Sequence, residues 1–100
     1  MEVSEIQAKG LTKLLAVTGT VPDKLKIHIS ELEVGKGSHA PHTHSGIEGF
    51  YVFEGNVTIE FEGEHFPLAA NEAMVVDATR PHTLVNSGNT KTKYLVVIAL

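Results

Sequence analysis

The sequence contains no cysteine. That absence removes disulfide staples, thiolate metal ligands and cysteine nucleophiles together. Basic residues are scarce: eight Lys+Arg face twelve Asp+Glu, a formal net charge of −4 with a pI near 5.8. No block of basic residues occurs anywhere, so the electrostatic footprint of a nucleic-acid binder is missing. Long hydrophobic runs are missing as well. The longest, Tyr94–Leu100, falls far short of the roughly 20 residues that a helical membrane span needs. Met1–Glu5 is acidic and lacks the basic and apolar regions of a signal peptide. The expectation is a soluble, cytoplasmic protein with no nucleic acid and no membrane among its partners.

One hundred residues fit a single domain over 1–100. A hydrophobic content of 42% and a mean hydropathy of +0.03 suit a globular chain and are too high for disorder. Leu25, Ile27 and Ile29 alternate with Lys26, His28 and Ser30 inside Lys24–Val34, the period of a half-buried strand. Val57, Ile59 and Phe61 alternate with Thr58, Glu60 and Glu62 in the same way. Gly55-Asn56 joins that run to Gly49–Glu54, and Gly63-Glu64 joins it to the next, so the spacing predicts hairpins at both ends. Further β-rich runs occupy Ala73–Val76, His82–Asn86 and Lys93–Ala99. Leu11, Leu14 and Leu15 have helical spacing, but Gly10, Gly19 and the β-branched residues after Ala16 favour a strand over Leu11–Val17, within an N-terminal strand or arm at 1–21. Turn signals every eight to twelve residues point to an all-β sandwich or small barrel.

Six histidines are the unusual presence, and three of them, His39, His42 and His44, fall within six positions. In an extended chain His42 and His44 share a face, and Glu48 returns to it after a turn at Gly46. Two imidazoles and a carboxylate suit a divalent first-row metal. His82, opening a strand after Pro81, is the leading fourth ligand. Three nitrogens and one oxygen leave about two open positions on an octahedral ion, the mark of a reactive rather than a structural site.

The run His42-Thr-His44-Ser-Gly-Ile-Glu48, then six intervening residues and Gly55, resembles the first motif of the cupin superfamily, placed here at 35–55. His82-Thr-Leu-Val-Asn86 resembles the end of the second motif, at 71–86. Fifteen residues separate Gly55 from Asn71, a spacing similar to that of small single-domain cupins of the cupin 2 type. Four positions depart from the pattern: the family's opening glycine falls at Lys36, between Gly35 and Gly37, and Asn71, Asp77 and Thr79 stand where the family has Gly, Pro and Gly. The resemblance implies an all-β cupin (jelly-roll) β-barrel of antiparallel strands. It also implies one divalent transition metal (Mn, Fe, Ni, Zn, Co or Cu) on His42, His44, Glu48 and His82, a small-molecule ligand or substrate, and a homodimer. Dioxygenase, isomerase, ketonising and lyase chemistries all occur in the family, alongside non-catalytic ligand-binding and sensory modules. Glu48 argues against the all-histidine site of thiol dioxygenases.

The remaining candidates have bland readings beside the functional ones. Glu48 doubles as a candidate catalytic base. Arg80 is either a solvated turn residue or a clamp for a substrate carboxylate. Phe50 and Val52 share the parity of Glu48 and are expected in the cavity wall, with Tyr51 and Phe53 facing outward. His39 reads as a loop residue, with the site mouth as its functional alternative. His28 and His65 read as surface or satisfied histidines. Glu54, Glu60, Glu62 and Glu64 read as a solvated acidic stripe.

Overall fold

Short β-prone runs broken by turn residues satisfy their backbone groups by pairing with one another. The computed structural model of the protein describes residues 3–8, 10–16 and 24–100. Among these, the strands are β1 (Val3–Ala8), β2 (Leu11–Ala16), β3 (Leu25–Leu32), β4 (Ile47–Glu54), β5 (Asn56–Phe61), β6 (Glu64–Ala69), β7 (Ala73–Asp77), β8 (His82–Val85) and β9 (Thr92–Ala99). All pairings are antiparallel, in a six-stranded sheet of order β1-β2-β3-β9-β4-β7 and a three-stranded sheet of order β6-β5-β8. The sheets enclose Leu32, Phe50, Val52, Val57, Ile59, Val76, Leu84, Tyr94 and Val96, a jelly-roll arrangement. The described residues include no helix long and apolar enough to cross a membrane, which says nothing of crossing by strands.

The expected strands form, with two corrections to how they are used. First, β4 and β5 make no hairpin. Both edges of β4 are taken, by β7 and β9, so β5 has no free edge there and joins the other sheet. Gly55 turns the chain between the sheets at φ 81°, where a Cβ would come within 3.1 Å of the Lys91 carbonyl oxygen. The β5–β6 hairpin does form, on Glu62-Gly63, and both of these residues have positive φ as a type I′ turn requires. Second, β3 is inverted relative to an ordinary half-buried strand. Lys26, His28 and Ser30 face inward, with Ser30 fully buried, while Leu25 and Ile27 remain 40% and 37% exposed on the outer face. The N-terminal strand runs over Leu11–Ala16, with Val17 outside the described residues, and pairs β1, which no sequence signal marked.

Candidate metal centre

The segment before β4 is irregular, so strand parity is not what aligns His42 with His44. Backbone hydrogen bonds do it instead. His42 and His82 exchange reciprocal N–H···O bonds of 3.1 Å, and the His44 N–H donates to the Ala78 carbonyl at 2.8 Å. The chain then turns at Gly46, φ 95°, where a Cβ would lie 2.1 Å from the Ala99 carbonyl oxygen; no other residue fits. That turn delivers Glu48 to the inner face of β4, where it is 4% exposed. His82 is presented by the 77–81 turn, and the departures from the family pattern still build it. Asp77 accepts bonds from the Thr79 N–H at 3.0 Å and its hydroxyl at 2.6 Å, which hold the Asp77 carboxyl below the usual range. Asn71 takes the left-handed conformation at φ 66° that glycine would have supplied.

The result is a convergent set. His42, His44 and His82 bring one ring nitrogen each to within 4.8 Å of one another. Glu48 Oε1 lies 2.9 Å from His44 Nε2, and Oε2 lies 3.7 Å from His82 Nε2. Two rings have their tautomer fixed by a backbone carbonyl, which can only accept. His44 Nδ1–H donates to Ser45 at 2.9 Å, and His82 Nδ1–H donates to Arg80 at 2.9 Å. With Nδ1 engaged in this way, Nε2 is the nitrogen that each of these two rings turns toward the other ligands, the orientation that metal-binding imidazoles use. His82 Nε2 is buried and has no hydrogen-bond partner among the described residues. An orphaned buried nitrogen costs about 1–3 kcal/mol, and a cation at the convergence point would relieve it. The donor set fits a divalent transition metal.

His42, His44 and Glu48 line a cavity of about 470 Å³. His39 lines it, its ring stacked on His42 with centroids 3.7 Å apart. Phe50 lines it too, whereas Val52 is sealed in the core beneath. Arg80 is not part of the lining; its side chain is 58% exposed and its Nη1 donates to Glu62 at 2.6 Å. His65 is exposed beside Glu60. Among the lining residues that sequence reasoning missed are Lys26, Ser30, Tyr94 and, read as a surface residue, His28. The period-two pattern carried the signal, because Ser30 pairs with Tyr94 and His28 with Val96 on the face that also bears Glu48. Burial pushes the Tyr94 phenol up to about 12, the Glu48 charge adds to this, and a Ser30 hydrogen bond opposes it. Tyr94 is thus a protonated donor at neutral pH.

A sequence search of curated proteins finds no match. Solved structures do match in fold. The chain is similar to the cupin domain of an XRE family transcriptional regulator from Enterobacter cloacae, at 19% identity and a TM-score of 0.80, over 92% of this chain and 98% of that one. It is similar to salicylate 1,2-dioxygenase from Pseudoaminobacter salicylatoxidans, at 23% identity and a TM-score of 0.80, over 96% of this chain and only 26% of the dioxygenase. A sugar phosphate isomerase of the cupin superfamily from Silicibacter pomeroyi gives 22% identity and a TM-score of 0.77, over 91% of this chain and 60% of the isomerase. The family profile of the cupin domain matches residues 28–98, a span that holds the histidines, Glu48 and every strand from within β3 onward. With that match over a jelly roll whose histidines converge on one cavity, the chain belongs to the cupin domain family.

Proposed function

We propose that the protein is a metal-dependent enzyme acting on a small, oxygen-rich metabolite. One divalent transition metal is held by His42, His44, Glu48 and His82. The observation that carries this reading is the buried, unpartnered His82 Nε2 beside Glu48, with its tautomer locked by a backbone carbonyl. When bound, such an ion supplies a Lewis acid with open positions for substrate oxygens and, if redox-active, access to dioxygen chemistry. The chain's own residues do the rest. Phe50, Val96 and Ile98 wall the cavity with apolar surface and limit water. Tyr94 offers its O–H to a substrate oxygen, and Glu48 is the candidate base. Dioxygenation and sugar isomerisation, named for two of the similar structures, are the first reactions to assay.

A non-catalytic, ligand-sensing role is the second reading. It is favoured by one observation: the chain covers 98% of the Enterobacter regulator's cupin domain but much less of the two enzymes. Turnover of a candidate metabolite separates the readings from stoichiometric binding without product. We also propose a homodimer, with a second copy on the outer face of the six-stranded sheet, where Leu25, Ile27, Ile47, Phe53 and Val75 are exposed.

Elemental analysis of tag-free protein beside a His42→Ala/His82→Ala variant tests the metal centre. About one equivalent of metal in the native protein, lost in the variant, is the expected result, because each ligand removed costs at least about 100-fold in affinity. No uptake of any divalent ion after reconstitution would sink the reading.

A further inference from the structure

We infer that the cavity contains a carboxylate subsite made by Lys26, His28 and Ser30, on the same sheet face as Glu48 and two strands away from it. The inference rests on the metal-centre reading and names its substrate class: a small metabolite that offers oxygens to the metal and carries a free carboxylate a few carbons away. Ordinary alternation would turn Leu25, Ile27 and Ile29 inward and Lys26, His28 and Ser30 to solvent. The reverse is observed over this part of β3, and these three polar side chains line the cavity, while Leu32 beyond them joins the core. Such an inversion costs apolar burial on the inner face, and an anionic ligand gives the polar face something to hold.

Strand register places this subsite relative to the metal centre. Lys26 pairs with Ile98, and Ile98 pairs with Glu48, so the three share one row across β3, β9 and β4. Side chains on such a row point to the same face. Strands spaced about 4.8 Å apart put the Lys26 and Glu48 backbones about 10 Å from each other. That span is a few carbon atoms longer than a direct ion pair accommodates. The donors grade inward from the rim, with Lys26 exposed, His28 half-buried and Ser30 fully buried; His28 Nδ1 lies 3.1 Å from Ser30 Oγ. No ion pair engages Lys26 among the described residues. Glu48 is the acidic residue of the lining, so an incoming carboxylate is steered to the lysine side. Lys26 supplies a single ammonium, a better match for a monoanion than for a phosphate dianion, which favours multiple cations or a guanidinium fork. Arg80, the sequence's candidate for this role, is held outside the cavity by Glu62.

Three probes share a 2-hydroxy acid head and differ in the far group: malate ends in a carboxylate, 3-phosphoglycerate in a phosphate, and 2-hydroxybutanoate in a methyl. Calorimetric titration of each into Ni(II)-reconstituted protein is the test. Malate is expected to bind about tenfold tighter than 2-hydroxybutanoate, the size of one partly hydrated charge-assisted contact. Lys26→Met collapses that ratio to about one, and Lys26→Arg retains most of it. A native ratio near one, or a ratio that survives Lys26→Met, overturns the inference while leaving the metal centre standing. Tighter binding of 3-phosphoglycerate overturns the choice of carboxylate. Failure to take up Ni(II), measured on the same samples, removes the metal reading and this inference with it.

Discussion

Beside the cavity, the two faces of the six-stranded sheet have partly exchanged the roles that water usually assigns them, while Leu32, Phe50, Val52, Val76 and Val96 still turn apolar side chains inward. Strand β3 shows it most simply. Over residues 25–30 its inward positions are Lys26, His28 and Ser30, and its outward positions are Leu25, Ile27 and Ile29. The neighbours continue both patterns. Glu48 and Tyr94 face inward with them, while Leu95 and Val97 on β9 pair with Ile29 and Ile27 on the outer side. The deep end of the interior is apolar, closed by Leu32, Val52, Val57 and Ile59. A small barrel can afford a polar chamber only if apolar burial is found elsewhere. Part of it lies in that deep core, and the outer face offers more to a second copy.

The largest effect that would break this comparison is on the outer face. Val97→Lys puts a charge in the middle of the proposed dimer contact and should weaken association at least about 100-fold, because a buried unpaired ammonium has no compensation. Sedimentation velocity should then show a monomer that still binds metal. A native protein that is itself monomeric at micromolar concentration would refute the dimer.

Inside the barrel, Asn86 clamps the turn after β8. Its amide donates to the Leu32 and Thr90 carbonyls at 3.0 and 2.9 Å, and its Oδ1 accepts from the Gly88 N–H at 3.0 Å. Asn86→Ala strands these groups and should cost about 3 kcal/mol in urea unfolding. A loss under about 1 kcal/mol would show that water replaces the clamp.

Tyr94 gives a pH test of the same interior. Its folded pKa is raised to about 12 from an ordinary 10.0, so the neutral phenol is favoured by folding. Its contribution is fully present below pH 10 and is lost as pH rises toward 12, on the order of 2 kcal/mol in all. Tyrosinate absorbance should report one late-titrating phenol, and Tyr94→Phe should abolish that step. An alkaline stability profile identical in the variant would contradict the assignment.

The smallest effect belongs to Arg80. Its pair with Glu62 is exposed on both sides, so Arg80→Ala should change stability by no more than about 0.5 kcal/mol and leave metal affinity intact. A large fall in metal affinity would show that the turn carrying His82 depends on this guanidinium.

Local chemistry was legible in the sequence because it depends on neighbours along the chain. The alternation in β3 and β5, the turn residues and the spacing from His42 to Glu48 are facts of that kind. So is Asn71, whose left-handed backbone follows from a short amide side chain. Relations across the chain were not legible. Period two says that Leu25 and Lys26 face opposite ways, but which face is inside depends on where the other sheet lies. Gly55 signals a turn, yet whether it closes a hairpin depends on the edges of β4, which β7 and β9 occupy from far along the chain. Arg80 shares parity with His82, but the tertiary structure brings Glu62 to its guanidinium and leaves it at the surface. Tyr94 looked like one apolar residue of a terminal strand until register set it against Ser30, on the same inner face as Glu48. The sequence by itself determined the strands, the turns and the ligand types, because backbone sterics and side-chain chemistry act within a few residues. Only the tertiary structure decided which face encloses the cavity and which side chains meet there, because those follow from pairings between distant strands.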